Sequence, residues 1–184
     1  MPDPAHSISV LYEQATPRLR RTHVRLMALR IAELVAKGRG FACLVAGEET
    51  SRRLNRDFRG KDESTDVLSF PSGVAVGPLG DLAISIEHAR AQSTERGHGV
   101  EQEIGVLMLH GVLHLMGMDH ETDKGQMRRA EARWRRELGL PLSLTERVAG
   151  PVSRARPATE PLQRGSRAKA PGSQRASAMG GSKR

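Results

Sequence analysis

Apolar positions recur along this chain at two periods, and the switches between them mark its elements. Residues 8–12 form a short apolar run with partial alternation, which predicts a strand. Thr16-Pro17 offers an N-cap followed by proline at a first helical position. Leu19, Leu26, Met27, Ile31, Leu34 and Val35 then follow at helical spacing, and Gly38 and Gly40 end that helix. Residues 41–46 predict a buried strand, with Cys43 as a small core residue. Residues 48–58 predict a short helix, and RGKDEST at 59–65 a polar loop. Strands are predicted at 66–70, closed by Pro71, and at 81–86. The connection between them, PSGVAVGPLG, is hairpin-like, so these two strands are expected to be antiparallel neighbours. A helix at 87–96 precedes a second at about 100–116, which is apolar nearly all round and therefore expected to be buried. After a loop at 117–124, a charged helix at 124–138 carries Met127, Ala130, Trp134 and Leu138 on one face and stops at Gly139 and Pro141.

Beyond about residue 150 the periodicity is lost. Gly, Pro, Ser, Ala and Arg dominate, and such a segment cannot offset its ordering entropy by burial. The expectation is one folded domain over 1–149 and a disordered basic tail over 150–184. That division changes the meaning of the net charge of +8. The tail alone carries +7 and the body only +1. The high isoelectric point thus gives no support to nucleic-acid binding by the folded part. A basic groove there has to come from local clustering, as in Arg52, Arg53, Arg56, Arg59 and Lys61. The tail itself is compatible with loose, salt-dependent RNA binding or with a solubilising role. A second arginine cluster, at positions 18 to 30, can touch RNA but reads first as a solvated helix face.

Cys43 is the one cysteine, so no intramolecular disulfide is expected and a cytoplasmic protein fits best. No run of 18 apolar residues lacks a charge or histidine, so no membrane span is expected. The N-terminus has no basic segment leading into an apolar one, so no signal peptide is expected either.

The candidate chemistry lies in EIGVLMLHGVLHLMGMDHE, residues 103–121. His110 and His114 stand four apart, which places both imidazoles on one helix face. Gly117 breaks the run, and a short turn can bring His120 back to the same point. Three neutral imidazoles leave a tetrahedral metal one open position, the mark of a catalytic site. Asp119 can orient a ligand imidazole from outside or can be a turn residue that caps the next segment. Zinc peptidases of the HExxH type carry a glutamate after the first histidine as general base. Here that position is Gly111, which cannot move a proton.

HGVLHLMGMDH at 110–120 resembles the HGxLHLxGxDH signature of the YbeY family of bacterial endoribonucleases, the rRNA maturation factors. LNRDFRGKDESTDVLSF at 54–70 is similar to that family's LN–YRGKD–TDVLSFP segment, and LGDLAIS at 79–85 to its GD-containing strand. The resemblance spans about residues 7–140 and omits the tail. It implies an α+β fold, a small mixed sheet of about four strands packed with about five helices, with the three histidines at one end. It implies a zinc-dependent, single-strand-specific endoribonuclease holding one zinc through His110, His114 and His120. It also implies action in 16S rRNA 3′-end maturation and ribosome quality control, in association with the small ribosomal subunit. Arg59 matches the arginine that the family uses in activity, and an arginine fork suits a phosphate; His114 joins it as a catalytic candidate. Asp66 and Asp81 can support the site or cap strand ends. Ser64 stands where the family usually has proline, which is expected to alter the stiffness of the loop beside Arg59.

Two rival readings follow from the same residues. One is a zinc hydrolase of another class, such as a peptidase, against which Gly111 argues. The other is a non-catalytic ribosome assembly factor with a structural metal, which calls for a fourth protein ligand, commonly cysteine.

Overall fold

The structure, a computed structural model, describes residues 7–13, 19–119 and 123–142, all within the compact unit Met1–Gly150. The expected helix start at Thr16-Pro17, the third histidine His120 and the tail at 150–184 lie outside the described residues.

The described residues form an α+β fold of four strands and five helices: β1 Ile8–Tyr12, α1 Arg21–Leu34, β2 Phe41–Ala46, α2 Glu48–Arg59, β3 Val67–Pro71, β4 Gly80–Ser85, α3 Ile86–Arg96, α4 Val100–Leu115 and α5 Gln126–Leu138. The sheet is mixed, in the order β1-β2-β4-β3. β1 runs parallel to β2 and β2 parallel to β4, while β3 lies antiparallel to β4 at the edge. β3 and β4 are thus the antiparallel neighbours that their connection predicts. Pro71 does not close β3 from outside but forms its last residue, pairing with Gly80; an edge strand tolerates the missing N–H. Gly80 lies at φ +138, and a Cβ there would stand 2.1 Å from the Phe70 carbonyl oxygen, so only glycine closes this corner.

β4 reaches the middle of the sheet because its side chains are apolar on both faces. Leu82, Ala83, Ile84 and Ser85 are all buried in succession, the pattern of a strand covered on both sides. Strand alternation sends neighbours in β3 to opposite faces. Ser69 meets α4, where its hydroxyl donates to the Gly111 carbonyl at 3.3 Å. Phe70 meets Phe58 of α2.

α4 packs against β3 and β4 and is flanked by α1, α3 and α5. Eleven of its sixteen residues are buried, as its all-round apolar pattern predicts. One of them is a charge. Glu103 is fully buried and bonded by Arg96 Nη1 at 2.5 Å and by His98 Nε2, which closes the α3–α4 turn. A buried carboxylate persists when its oxygens are bonded in this way.

α5 starts two residues later than the pattern predicts. Its N-terminus is capped by Asp123, whose carboxylate accepts from the Gly125, Gln126 and Met127 amides at 2.8, 3.1 and 2.5 Å. At the other end Arg30 of α1 donates to the Leu138 carbonyl at 2.9 Å and the Glu137 carbonyl at 3.2 Å.

Candidate active site

Beyond its partly exposed first turn, α4 is buried from Glu103 to Leu109 and reaches the solvent again only towards its C-terminal end. His110 and His114 sit there one turn apart, each half-buried. Their ring centroids are 4.8 Å apart and their Nε2 atoms 3.2 Å apart. Two nitrogens each about 2.0–2.1 Å from one tetrahedral zinc stand roughly 3.3 Å apart, so the pair has the spacing of two ligands of one ion. Gly117 at φ +86 ends the helix just beyond, its amide donating to the His114 carbonyl at 2.9 Å. Among the described residues no group of three His, Cys, Asp or Glu side chains is arranged to hold a metal. The third expected ligand, His120, is not among them.

The group that orients His110 is one the motif does not contain. Glu131 of α5 places Oε2 3.1 Å from His110 Nδ1. Its other carboxylate oxygen accepts from Arg135, one helical turn on. Burial alone would raise the Glu131 carboxyl. The hydrogen bond with His110 and the Arg135 guanidinium outweigh it and hold the group below the usual carboxylate range. A carboxylate at Nδ1 orients the ring, and a proton held there would leave the Nε2 lone pair of His110 facing His114.

Asp119 is half-buried, and its carbonyl accepts from the Asp123 amide at 3.1 Å, so its backbone opens the turn before α5. The cap of α5 belongs to Asp123. His110, Glu131 and Arg135 line a pocket of about 250 Å³ together with Asp66, Gln92 and Arg96. Asp66 is held there by Gln92 Nε2 at 3.0 Å and by the Val67 amide at 2.8 Å. Asp81 is exposed on β4.

Arg59 is the last residue of α2 and does not open the following loop. It is exposed, and its guanidinium makes no hydrogen bond or ion pair among the described residues. Arg52 is instead bonded to both Asp62 oxygens, at 2.8 and 2.7 Å, and Arg56 lies 3.6 Å from the same carboxylate. The loop after α2 does not depend on a proline for its shape. Ser64 Oγ donates to Glu48 at 3.0 Å and lies 2.9 Å from His88 Nε2. Asn55 Nδ2 donates to the Glu63 carbonyl at 2.9 Å, and Ser51 Oγ to the Thr65 carbonyl at 2.7 Å.

Gly111 faces the sheet. A Cβ there would meet Leu82 Cδ2 at 2.7 Å and Ser69 Oγ at 3.3 Å. The absent glutamate is therefore explained by packing: this position is the contact that seats α4 on β3 and β4. Cys43 is buried at the centre of the sheet, in β2, and burial pushes its thiol up to about 12. It is a core thiol and no metal ligand.

The chain has relatives of known name. The family described as Endoribonuclease YbeY matches residues 12–139. The Endoribonuclease YbeY of Solibacter usitatus is 57% identical over 141 residues, covering 76% of this chain and 94% of that protein. That of Helicobacter pylori strain P12 is 43% identical over 124 residues, covering 67% and 89%. The solution structure of TM1509 from Thermotoga maritima shares the fold, with a TM-score of 0.53 and 24% identity over 83% of this chain and 99% of the other. This chain belongs to the YbeY endoribonuclease family.

Proposed function

We propose that this protein is a zinc-dependent endoribonuclease specific for single-stranded RNA. Its place is in rRNA processing, at the 3′ end of 16S rRNA, and in ribosome biogenesis and quality control, acting in the cytoplasm alongside the small ribosomal subunit. The observation that carries the metal-dependent reading is the His110–His114 pair, with Nε2 atoms 3.2 Å apart on a buried helix. His110 and His114 would hold the zinc, with His120 as the third ligand that the motif offers. The bound ion supplies a water of lowered pKa and a Lewis acid for the phosphoryl oxygen.

The protein's own groups do the rest. Glu131 keeps Nδ1 of His110 protonated and its ring oriented. Arg59 offers a planar, permanently charged fork to the scissile phosphate or its neighbour. Arg59→Ala is expected to retain zinc and to lose about 10²–10³-fold in cleavage rate, the scale for one lost charge-stabilising donor. Normal cleavage by that variant would remove Arg59 from the site. Glu131→Gln is expected to weaken zinc binding about 10- to 100-fold in a chelator competition. Unchanged affinity would leave Glu131 a structural residue.

The rival readings have less support. A peptidase needs a base where Gly111 packs on the sheet. A structural metal needs a further ligand, and Cys43 is withdrawn into the core.

The test is cleavage of an end-labelled single-stranded RNA by protein as purified, after chelation, and after zinc is restored, beside a matched duplex. Cutting of the single strand that stops on chelation and returns with zinc is the expected result. One zinc per chain with no cutting would overturn the nuclease reading and favour an assembly factor.

A further inference from the structure

We propose that Phe58 is a stacking platform for an unpaired base of the RNA, with the phosphate beside that base held by Arg59. The proposal rests on the nuclease reading above and names where the substrate is gripped. It starts from a misplaced side chain. Ser51 and Asn55 form the buried face of α2 and tie it to the following loop. Phe58 continues that face by helical spacing, at i+7 and i+3. There the sheet runs out, because β3 is its edge. Phe58 is left 67% exposed, touching the ring of Phe70 on that edge strand.

An exposed apolar residue is common, but this one is a large ring in a chain with only three phenylalanines, one tyrosine and one tryptophan. It is also propped. The Phe58 and Phe70 centroids are 5.0 Å apart at 68°, an edge-to-face pair that fixes the orientation of the outer ring. Its setting is cationic. Between residues 52 and 62 five cations stand against Asp57 and Asp62. Arg59 follows Phe58 directly, and Lys61 lies just past the Gly60 cap. Asp81 is the register partner of Phe70 and puts an acid on the β4 side of the pair, so phosphates are drawn towards α2.

An aromatic face beside an unpaired guanidinium is the arrangement by which proteins hold single-stranded nucleic acid without reading its sequence. A duplex hides its base faces in its own stack and cannot use it. Ser69, one residue before Phe70, bonds α4 at Gly111, next to His110. The platform thus lies on the α2 face of β3, and the helix that carries the histidines packs on the opposite face of the same strand.

The test uses the full-length protein and a fluorescein-labelled single-stranded 2′-O-methyl oligonucleotide, checked on a gel to be intact, with binding read by anisotropy. Phe58→Ala is expected to bind about 5- to 150-fold more weakly, the range for loss of one base–aromatic stack. Phe58→Trp is expected to bind at least as well, and its added indole fluorescence to fall on binding. The proposal is overturned if Phe58→Ala binds within twofold of the parent, if the indole emission added by Phe58→Trp is unchanged at saturation, or if the parent does not bind at all. A parent that binds but cuts no RNA sinks the nuclease reading and leaves the stack standing. A parent that cuts RNA while Phe58→Ala binds normally does the reverse.

Discussion

His114→Ala is expected to lose zinc and RNA cleavage together, leaving a protein that is folded and inert. The loss of metal should exceed the ~10- to 100-fold that follows removal of an outer partner, because a ligand itself is gone. The fold should survive for two reasons. His114 is half-buried at the open end of α4, where it contributes little to the core. Alanine is also the residue that a helix accepts most readily. Metal content, circular dichroism and cleavage measured on one preparation check all three statements. Cleavage by a zinc-free His114→Ala protein would show that the histidines are not the metal-dependent centre.

Gly111→Glu should be more damaging to the fold than any substitution at the histidines, although it writes the HExxH peptidase motif into the chain. The Cβ alone would stand 2.7 Å from Leu82 Cδ2, and Leu82 is 2% exposed. Overfilling a packed contact costs about 1–3 kcal/mol, partly offset by the ~1 kcal/mol that leaving glycine gains in a helix. For alanine that leaves a net cost of about 0–2 kcal/mol. For glutamate a carboxylate is added between helix and sheet, beside Leu82 and Ser69, at a further cost of several kcal/mol. Total stability of a domain is about 5–15 kcal/mol. The expected result is a fall in Tm of roughly 10 °C or more, or insoluble protein, with no peptidase activity gained. A Gly111→Glu protein with the parent's Tm would mean that α4 does not sit tightly on the sheet.

Periodicity made the elements legible where the burial pattern is strong. The apolar run at 41–46 and the all-round apolar α4 fall where the pattern puts them. Ends were less legible, since they depend on caps rather than on period. α5 begins at Gln126 because Asp123 supplies the cap, a role that its place in a polar loop does not advertise. The order of strands was not legible from spacing. The connection after β3 tells that β4 turns back beside it, yet not that β4 then pairs with β2. The clue was present in the unbroken apolar run at Leu82–Ile84, which asks for cover on both faces.

At the site, the His110–His114 geometry was legible because both residues lie on one helix. Glu131 was not. It stands 21 residues from His110 in a charged helix, and its spacing to Arg135 is that of an ordinary surface ion pair. Only the packing of α5 beside α4 turns that pair inward. Arg59 is a candidate through resemblance alone, and the pairing of its neighbours with Asp62, which leaves it unengaged among the described residues, could not be read from the loop.

The site straddles two levels of local stability. His110 and His114 ride on α4, the most enclosed of the described helices, whose amides are expected to open only with the whole domain. Glu131 rides on α5, where only Met127 and Leu138 are fully buried, Ala130 and Trp134 are partly buried against the core, and Arg128, Arg129, Arg133, Arg136 and Glu137 are exposed. A peripheral helix of that kind can lift and return many times while the core stays shut. Each excursion takes the carboxylate from His110 and leaves the two imidazoles in place. For a zinc held by these histidines, the residence time is then expected to follow the breathing of α5 and not the unfolding rate of the domain.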